Sequence, residues 1–114
     1  MKIATWNING VKARLDSALT YLREAKPDVI GFQEIKSVDE GFPSEAFEDL
    51  GYKVATHGQK GFNGVAILSR LPMEDVTRGL PGGDGDEQSR YIEATIIDGA
   101  LAVPDQGLQV EHLE

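Results

Sequence analysis

Apolar and polar positions follow three different rhythms along this chain, and each rhythm predicts a different element. Residues 2–7 alternate, with Ile3 and Thr5 on one side and Ala4 and Trp6 on the other, as a half-buried strand does. Asn7-Ile8-Asn9-Gly10 then breaks the pattern with residues that tolerate a left-handed backbone. Leu15, Ala18, Leu19 and Leu22 recur at helical spacing, Asp16 is a suitable N-cap and Pro27 blocks continuation, which predicts an amphipathic helix over residues 16–26. Val29, Ile30, Gly31 and Phe32 form an uninterrupted apolar run, read as a short central strand covered on both faces, with Gln33, Glu34 and Lys36 following at its end. Residues 37–43 read as a loop, and Ser44 as the cap of a short helix through Ala46, Phe47 and Leu50 that Gly51 closes. Residues 52–56 and 64–69 read as strands of an antiparallel hairpin joined by a glycine-rich turn. Residues 73–78 and 90–97 read as further strands around a mobile acidic loop at 79–87.

Strand, helix and strand within roughly 30 residues make a βαβ unit, whose crossover is almost always right-handed, so the fold class is α/β. If the two strands are parallel neighbours, their carboxyl ends share one edge, where open α/β sheets bind ligands. Neighbouring strands lie about 4.8 Å apart. Asn7 and Glu34 can then share one ion, although they stand far apart in the chain, and Glu34 is the first candidate for chemistry. Taken alone, Asn7 reads more simply as a turn-capping amide.

Composition narrows the ion. The 114 residues suffice for one domain, and a 40% hydrophobic content suits a globular chain rather than a disordered one. Cysteine is absent, which excludes disulfides and thiolate metal sites and leaves oxygen and imidazole donors, the ligands of a hard cation such as Mg²⁺ or Mn²⁺. A formal charge of −8 argues against indiscriminate nucleic-acid binding, which depends on cations facing phosphates. The charge is uneven. Residues 1–36 carry six basic and four acidic side chains, whereas the remainder carries five and fifteen, so any anion-binding face is expected from the first third, a solvated mix of charges being the plainer reading. No apolar run is long enough to span a bilayer and no signal segment is evident, so no membrane partner is expected and a cytoplasmic location is the default.

Three other motifs yield to plainer readings. Glycines around Lys60 lack the Walker spacing and precede no helix, so residues 57–64 are a hairpin loop. His57 is a lone imidazole, read as a hydrogen-bonded turn residue before a base. Asp84 and Asp86 resemble the start of a calcium loop, but Thr95 stands where a bidentate glutamate is required.

Trp6-Asn7-Ile8-Asn9-Gly10, Pro27-Asp28-Val29-Ile30-Gly31-Phe32-Gln33-Glu34-Ile35-Lys36, the run from His57 to Ile67 and Gln88-Ser89-Arg90-Tyr91-Ile92 together carry a resemblance. Over residues 1 to about 96 the chain resembles the exonuclease III type of the endonuclease/exonuclease/phosphatase superfamily. The resemblance implies the N-terminal half of a four-layer α-β-β-α sandwich, a mixed sheet with helices on one face, over residues 1–96, followed by a divergent acidic tail over 97–114. It implies a metal-dependent DNA-repair phosphodiesterase that cuts double-stranded DNA at abasic sites and degrades it from 3′ ends. Glu34 matches the metal-binding glutamate, and Asn7 the asparagine beside the ion and the scissile phosphate. Arg90 falls near the DNA-facing side without an assigned role, and Lys36 is either a phosphate or carboxylate partner or a solvated cation.

The second-half tyrosine, the G-D-x-N motif and the Asp-His pair of that family have no counterpart here. With Pro104 aligned to the family proline, Ala102 stands at the tyrosine position. The expectation is therefore a truncated nuclease, inactive alone; the alternative is a non-catalytic fragment or protein-binding module. A missing half also predicts a bare inner sheet face and self-association through it.

Overall fold

The alternation at the start of the chain becomes β1 (Ile3–Asn7), the buried apolar run becomes β2 (Val29–Gln33), and α1 (Leu15–Ala25) crosses between them. β1 and β2 pair in parallel, from Ile3 opposite Val29 to Asn7 opposite Gln33. The computed structural model describes residues 2–58, 63–78, 91–96, 99–104 and 109–112. The acidic loop at 79–87, together with Lys60, Gln88, Ser89 and Arg90, lies outside the described residues.

The helix starts one residue before the expected position. Arg14 occupies the cap without a side-chain hydrogen bond, and Asp16 sits in the first turn, where its charge faces the positive end of the helix. At the other end Lys26 adopts the left-handed conformation and its N–H reaches the Leu22 carbonyl at 3.1 Å, while Pro27 prevents a further turn. Ser44 likewise falls inside α2 (Ser44–Glu48) rather than capping it, with Pro43 at the cap. The stretch expected as loop before it holds a single 3₁₀ turn at Asp39–Gly41.

β3 (Lys53–His57) and β4 (Val65–Ser69) form the expected antiparallel pair, and β4 also pairs antiparallel with β2. The sheet is mixed, in the order β1-β2-β4-β3. Both central strands are buried throughout, and their alternation divides the core in two. Ile30, Phe32, Ala66 and Leu68 face the helices, where they meet Ala18, Leu22 and Phe47. Phe32 anchors this side, with ring centroids 6.0 Å from Trp6 and 5.8 Å from Phe47. Burying a side chain of this size stabilises the fold by roughly 1.5–3 kcal/mol.

Val29, Val65 and Ile67 face the opposite way, and here the expected bare surface is corrected. β5 (Met73–Arg78), β6 (Tyr91–Ile96), β7 (Gly99–Pro104) and β8 (Gln109–His112) form a second sheet, antiparallel in that order. Ile92, Ala94, Ile96 and Val103 close over Val29, Ala55, Val65 and Ile67. The chain covers its own inner sheet face, which removes the reason for self-association through it. Two of the covering strands, β7 and β8, come from the stretch expected as an acidic tail. Asp75, with φ +53°, sits at the register shift between Glu74 and Thr77. That extra residue lets Met73 and Val76, three positions apart, both face the first sheet. Arg78 then reaches across, donating Nε–H to the Thr56 carbonyl at 2.6 Å.

Helices on one face of a mixed sheet, with a second sheet on the other, are the α-β-β part of the expected layering. Among the described residues no helix is long and apolar enough to cross a membrane.

Candidate functional site

The carboxyl ends of β1 and β2 meet at one rim, as the βαβ reading requires. Asn7 is the last residue of β1 and Glu34 the first residue past β2. Strict alternation would defeat the pairing. Ile30 and Phe32 face the helices, so an extended Glu34 would point there too, whereas Asn7 falls on the same side of β1 as Ile3, toward the second sheet. Glu34 instead adopts φ +51°. The left-handed turn directs its carboxylate to the Asn7 amide, whose Nδ2–H donates to Glu34 Oε2. Ile35 takes the helix-side place beside Ile8, fully buried.

A left-handed conformation costs a side-chain-bearing residue about 1–2 kcal/mol, and such residues persist only where the surroundings fix them. Here the fixing groups are backbone. The Ile8 N–H reaches the Gln33 carbonyl at 3.0 Å, the Gly10 N–H the Glu34 carbonyl at 2.8 Å and the Val11 N–H the Ile35 carbonyl at 3.0 Å. From the other side the Ile35 N–H reaches Gly64 at 3.1 Å and the Lys36 N–H reaches Asn63 at 2.9 Å. Two Asn-Gly pairs thus flank the acidic segment, and all four residues have positive φ: Asn9 +47°, Gly10 +97°, Asn63 +56° and Gly64 +89°.

One step beyond the first couple stands a second. Lys36, also left-handed at φ +53°, donates Nζ–H to Asn9 Oδ1. The open choice for Lys36 is thereby narrowed: its ammonium is held by an amide oxygen, and among the described residues it pairs with no carboxylate. Asn7, Asn9 and Lys36 are exposed and Glu34 half-buried, so the four polar ends face outward from a buried floor of Ile8 and Ile35.

His57 ends β3 at the same rim, opposite Val65, which in turn pairs with Gln33. Two strand spacings, roughly 10 Å, therefore separate it from β2. No sequence signal marks Asp39, whose Oδ1 accepts the Thr56 hydroxyl at 2.7 Å and the Gly58 N–H at 2.6 Å, tying the end of β3 to the loop after Lys36. Asn9 was read only as a turn residue tolerating the left-handed backbone it adopts, and Asn63 only as part of the hairpin loop, although the repeated Asn-Gly dipeptide was the available signal for their part in the rim.

Among the described residues no group of three His, Cys, Asp or Glu could hold a metal ion. Neither Glu34 Oε1 nor Asn7 Oδ1 accepts a protein hydrogen bond among them. One carboxylate oxygen and one amide oxygen, both hard donors, suit a cation of the Mg²⁺ class, which keeps most of its waters.

Residues 4–106 match the model of the endonuclease/exonuclease/phosphatase family. The chain is 46% identical to exodeoxyribonuclease III of Haemophilus influenzae over 96 residues, 84% of this chain and 36% of that protein. It superposes with a TM-score of 0.87 and 39% identity on a 3′ phosphatase from Neisseria bound to a product DNA hairpin, covering 90% of this chain and 40% of that one. An AP endonuclease from Archaeoglobus fulgidus gives 0.80 and 42%, covering 84% and 37%. The chain spans less than half the length of each of these proteins.

Proposed function

Because the chain belongs to the endonuclease/exonuclease/phosphatase family, we propose that its Asn7–Glu34 rim is the ion-holding part of a DNA phosphodiesterase site. The substrate class is double-stranded DNA carrying abasic sites or blocked 3′ ends, a reading supported by relatives named as an exodeoxyribonuclease, a 3′ phosphatase bound to a DNA hairpin and an AP endonuclease. The observation that carries the assignment is the left-handed turn at Glu34, which spends backbone strain to bring a carboxylate onto the Asn7 amide.

Glu34 Oε1 and Asn7 Oδ1 would hold Mg²⁺ or Mn²⁺. Such an ion, when bound, supplies charge neutralisation at phosphate oxygens and orientation of a water. The chain's own groups do the rest of what the rim offers. The Asn7–Glu34 hydrogen bond fixes the carboxylate's direction, and the Lys36 ammonium, held by Asn9, presents positive charge one step away for a neighbouring phosphate. Among the described residues no group of three His, Cys, Asp or Glu gathers to hold the ion and take a proton from water together, so the chain alone is expected to bind the ion and turn over little substrate. A cytoplasmic setting accompanies this proposal.

Titration with Mn²⁺, read by calorimetry and by paramagnetic broadening of amide signals, tests the assignment. Binding should broaden the signals of residues 7–10 and 33–36, and Glu34→Gln should weaken it by about tenfold, as expected for loss of a charged ligand. Superimposable isotherms for the two proteins would reject it.

A further inference from the structure

At the end of the first sheet opposite Glu34 is a hollow of about 240 Å³ lined by Leu22, Arg23, Lys26, Leu50 and Arg70. Its place follows from the register: Gln33 pairs with Val65 at the Glu34 end, whereas Val29 pairs with Ser69 at the other, roughly 15 Å along the strands. Three of its five lining residues are cationic in a chain whose net charge is −8. All three are exposed, and among the described residues none has a side-chain hydrogen bond or ion pair. Glu24 and Asp28 each stand two positions from Lys26, Glu24 also adjoins Arg23 in sequence, and Asp28 Oδ2 accepts the Lys2 backbone N–H at 2.7 Å.

Helix polarity accounts for part of this cluster. Arg23 and Lys26 lie at the carboxyl end of α1, where cations are favoured. It does not account for Arg70, which follows β4 and enters from a different element. The Arg70 backbone is held firmly: its N–H reaches the Asp28 carbonyl at 2.8 Å, and the next N–H, of Leu71, reaches Ser69 Oγ at 3.0 Å. On the facing wall Lys26 is fixed by its left-handed cap. The two walls are thus set by backbone, with Leu22 and Leu50 as an apolar floor.

We propose that this hollow binds a small, multiply charged oxyanion of the phosphate class, separately from the Asn7–Glu34 rim and independently of the nuclease assignment. Guanidinium forks from two elements match phosphate oxygens in geometry and charge. The volume lies below the 300–1,000 Å³ typical of drug-sized ligands and suits a single phosphoryl group.

The test is a titration of the 114-residue chain with sodium phosphate, followed by amide chemical shifts, against sodium chloride at matched ionic strength. Parallel titrations with a deoxynucleoside 5′-monophosphate and with an unphosphorylated duplex distinguish free phosphate, a phosphomonoester and a nucleic-acid backbone as sources. Saturable shifts confined to residues 22–26, 50 and 69–71 are expected with phosphate or the monophosphate and not with chloride. Arg70→Gln should weaken binding by about fivefold and Arg23→Gln/Arg70→Gln by about tenfold or more, through loss of charge-assisted hydrogen bonds. Arg14→Gln, remote from the hollow, should leave it within about twofold, since separate sites act independently. All three arginines are exposed, so the variants should remain folded. Shifts equal to those with chloride, a response to duplex alone, or unchanged affinity in Arg70→Gln would overturn the proposal.

Discussion

Replacing Gly58 by alanine should loosen the attachment of β3 to the loop that follows Lys36. A Cβ at this position would lie 2.2 Å from the Ser37 carbonyl oxygen, 2.8 Å from the Asp39 nitrogen and 2.9 Å from Asp39 Oδ1. Two of these atoms are backbone and cannot rotate away. Restoring an ordinary contact of 3.4 Å requires a retreat of about 1.2 Å. The Gly58 N–H to Asp39 Oδ1 bond, now 2.6 Å, then stretches to about 3.8 Å and ceases to be a hydrogen bond. Losing a bond to a charged acceptor costs about 1.5–3 kcal/mol, and the Thr56 bond to the same oxygen weakens with it. Reduced freedom of the unfolded chain returns about 0.4–1 kcal/mol. The net expectation is roughly 2 kcal/mol of destabilisation. Urea unfolding followed by Trp6, the sole tryptophan, measures it, and with a slope of about 1–3 kcal/mol per molar the midpoint should fall by about 1 M. Asp39→Ala breaks the same bonds, so the double variant should cost less than the two single costs combined. An unchanged or raised midpoint for Gly58→Ala, or strict additivity, would show that the approach at Gly58 is not tight.

Other substitutions probe the remaining layers. Phe32→Ala, at a fully buried position, should cost about 3–5 kcal/mol by denaturant melt. Glu34→Gly should remove the left-handed penalty and raise stability by about 1 kcal/mol while abolishing the Mn²⁺ response; a loss of stability would show that Glu34 is not strained. Burial raises the Tyr52 phenol above its ordinary value, with Arg70 opposing and Asp28 and Tyr21 adding to the shift. The folded state therefore keeps the proton longer than the unfolded one. The stability this represents is complete below about pH 10 and is lost as pH rises through the folded value. Tyr52→Phe should flatten that alkaline decline and, by removing the 2.6 Å bond to the Pro27 carbonyl, cost about 1 kcal/mol at neutral pH; an alkaline decline as steep as that of the parent chain would refute the assignment.

The first half of the fold was readable because its signals are local. Ile3–Trp6, Leu15–Leu22 and Val29–Phe32 each carry one period, and parallel pairing then fixes where Asn7 and Glu34 meet. The second sheet was harder to read. The strands Met73–Arg78 and Tyr91–Ile96 were visible, but Gly99–Pro104 is built from small residues whose place depends on pairing with β6 rather than on any pattern of its own. The left-handed turns at Glu34 and Lys36 were invisible, since glutamate and lysine carry no preference for them; the Gly10 N–H and the Gly64 and Asn63 carbonyls impose them. Asp16 and Ser44 were misplaced as caps by one or two residues, because a suitable side chain does not by itself fix where a helix begins.

The stitching of the segment after β2 to chain on both sides has a consequence for how this molecule tolerates change in length. A single residue inserted between Gln33 and Lys36 would put the later carbonyls out of phase with the Gly10 and Val11 N–H groups and the later N–H groups out of phase with the Gly64 and Asn63 carbonyls, and would swing Ile35 out of the core. Deletions there would do the same. Substitution is the route left open to variation at this rim, whereas growth in length must be accommodated elsewhere along the chain.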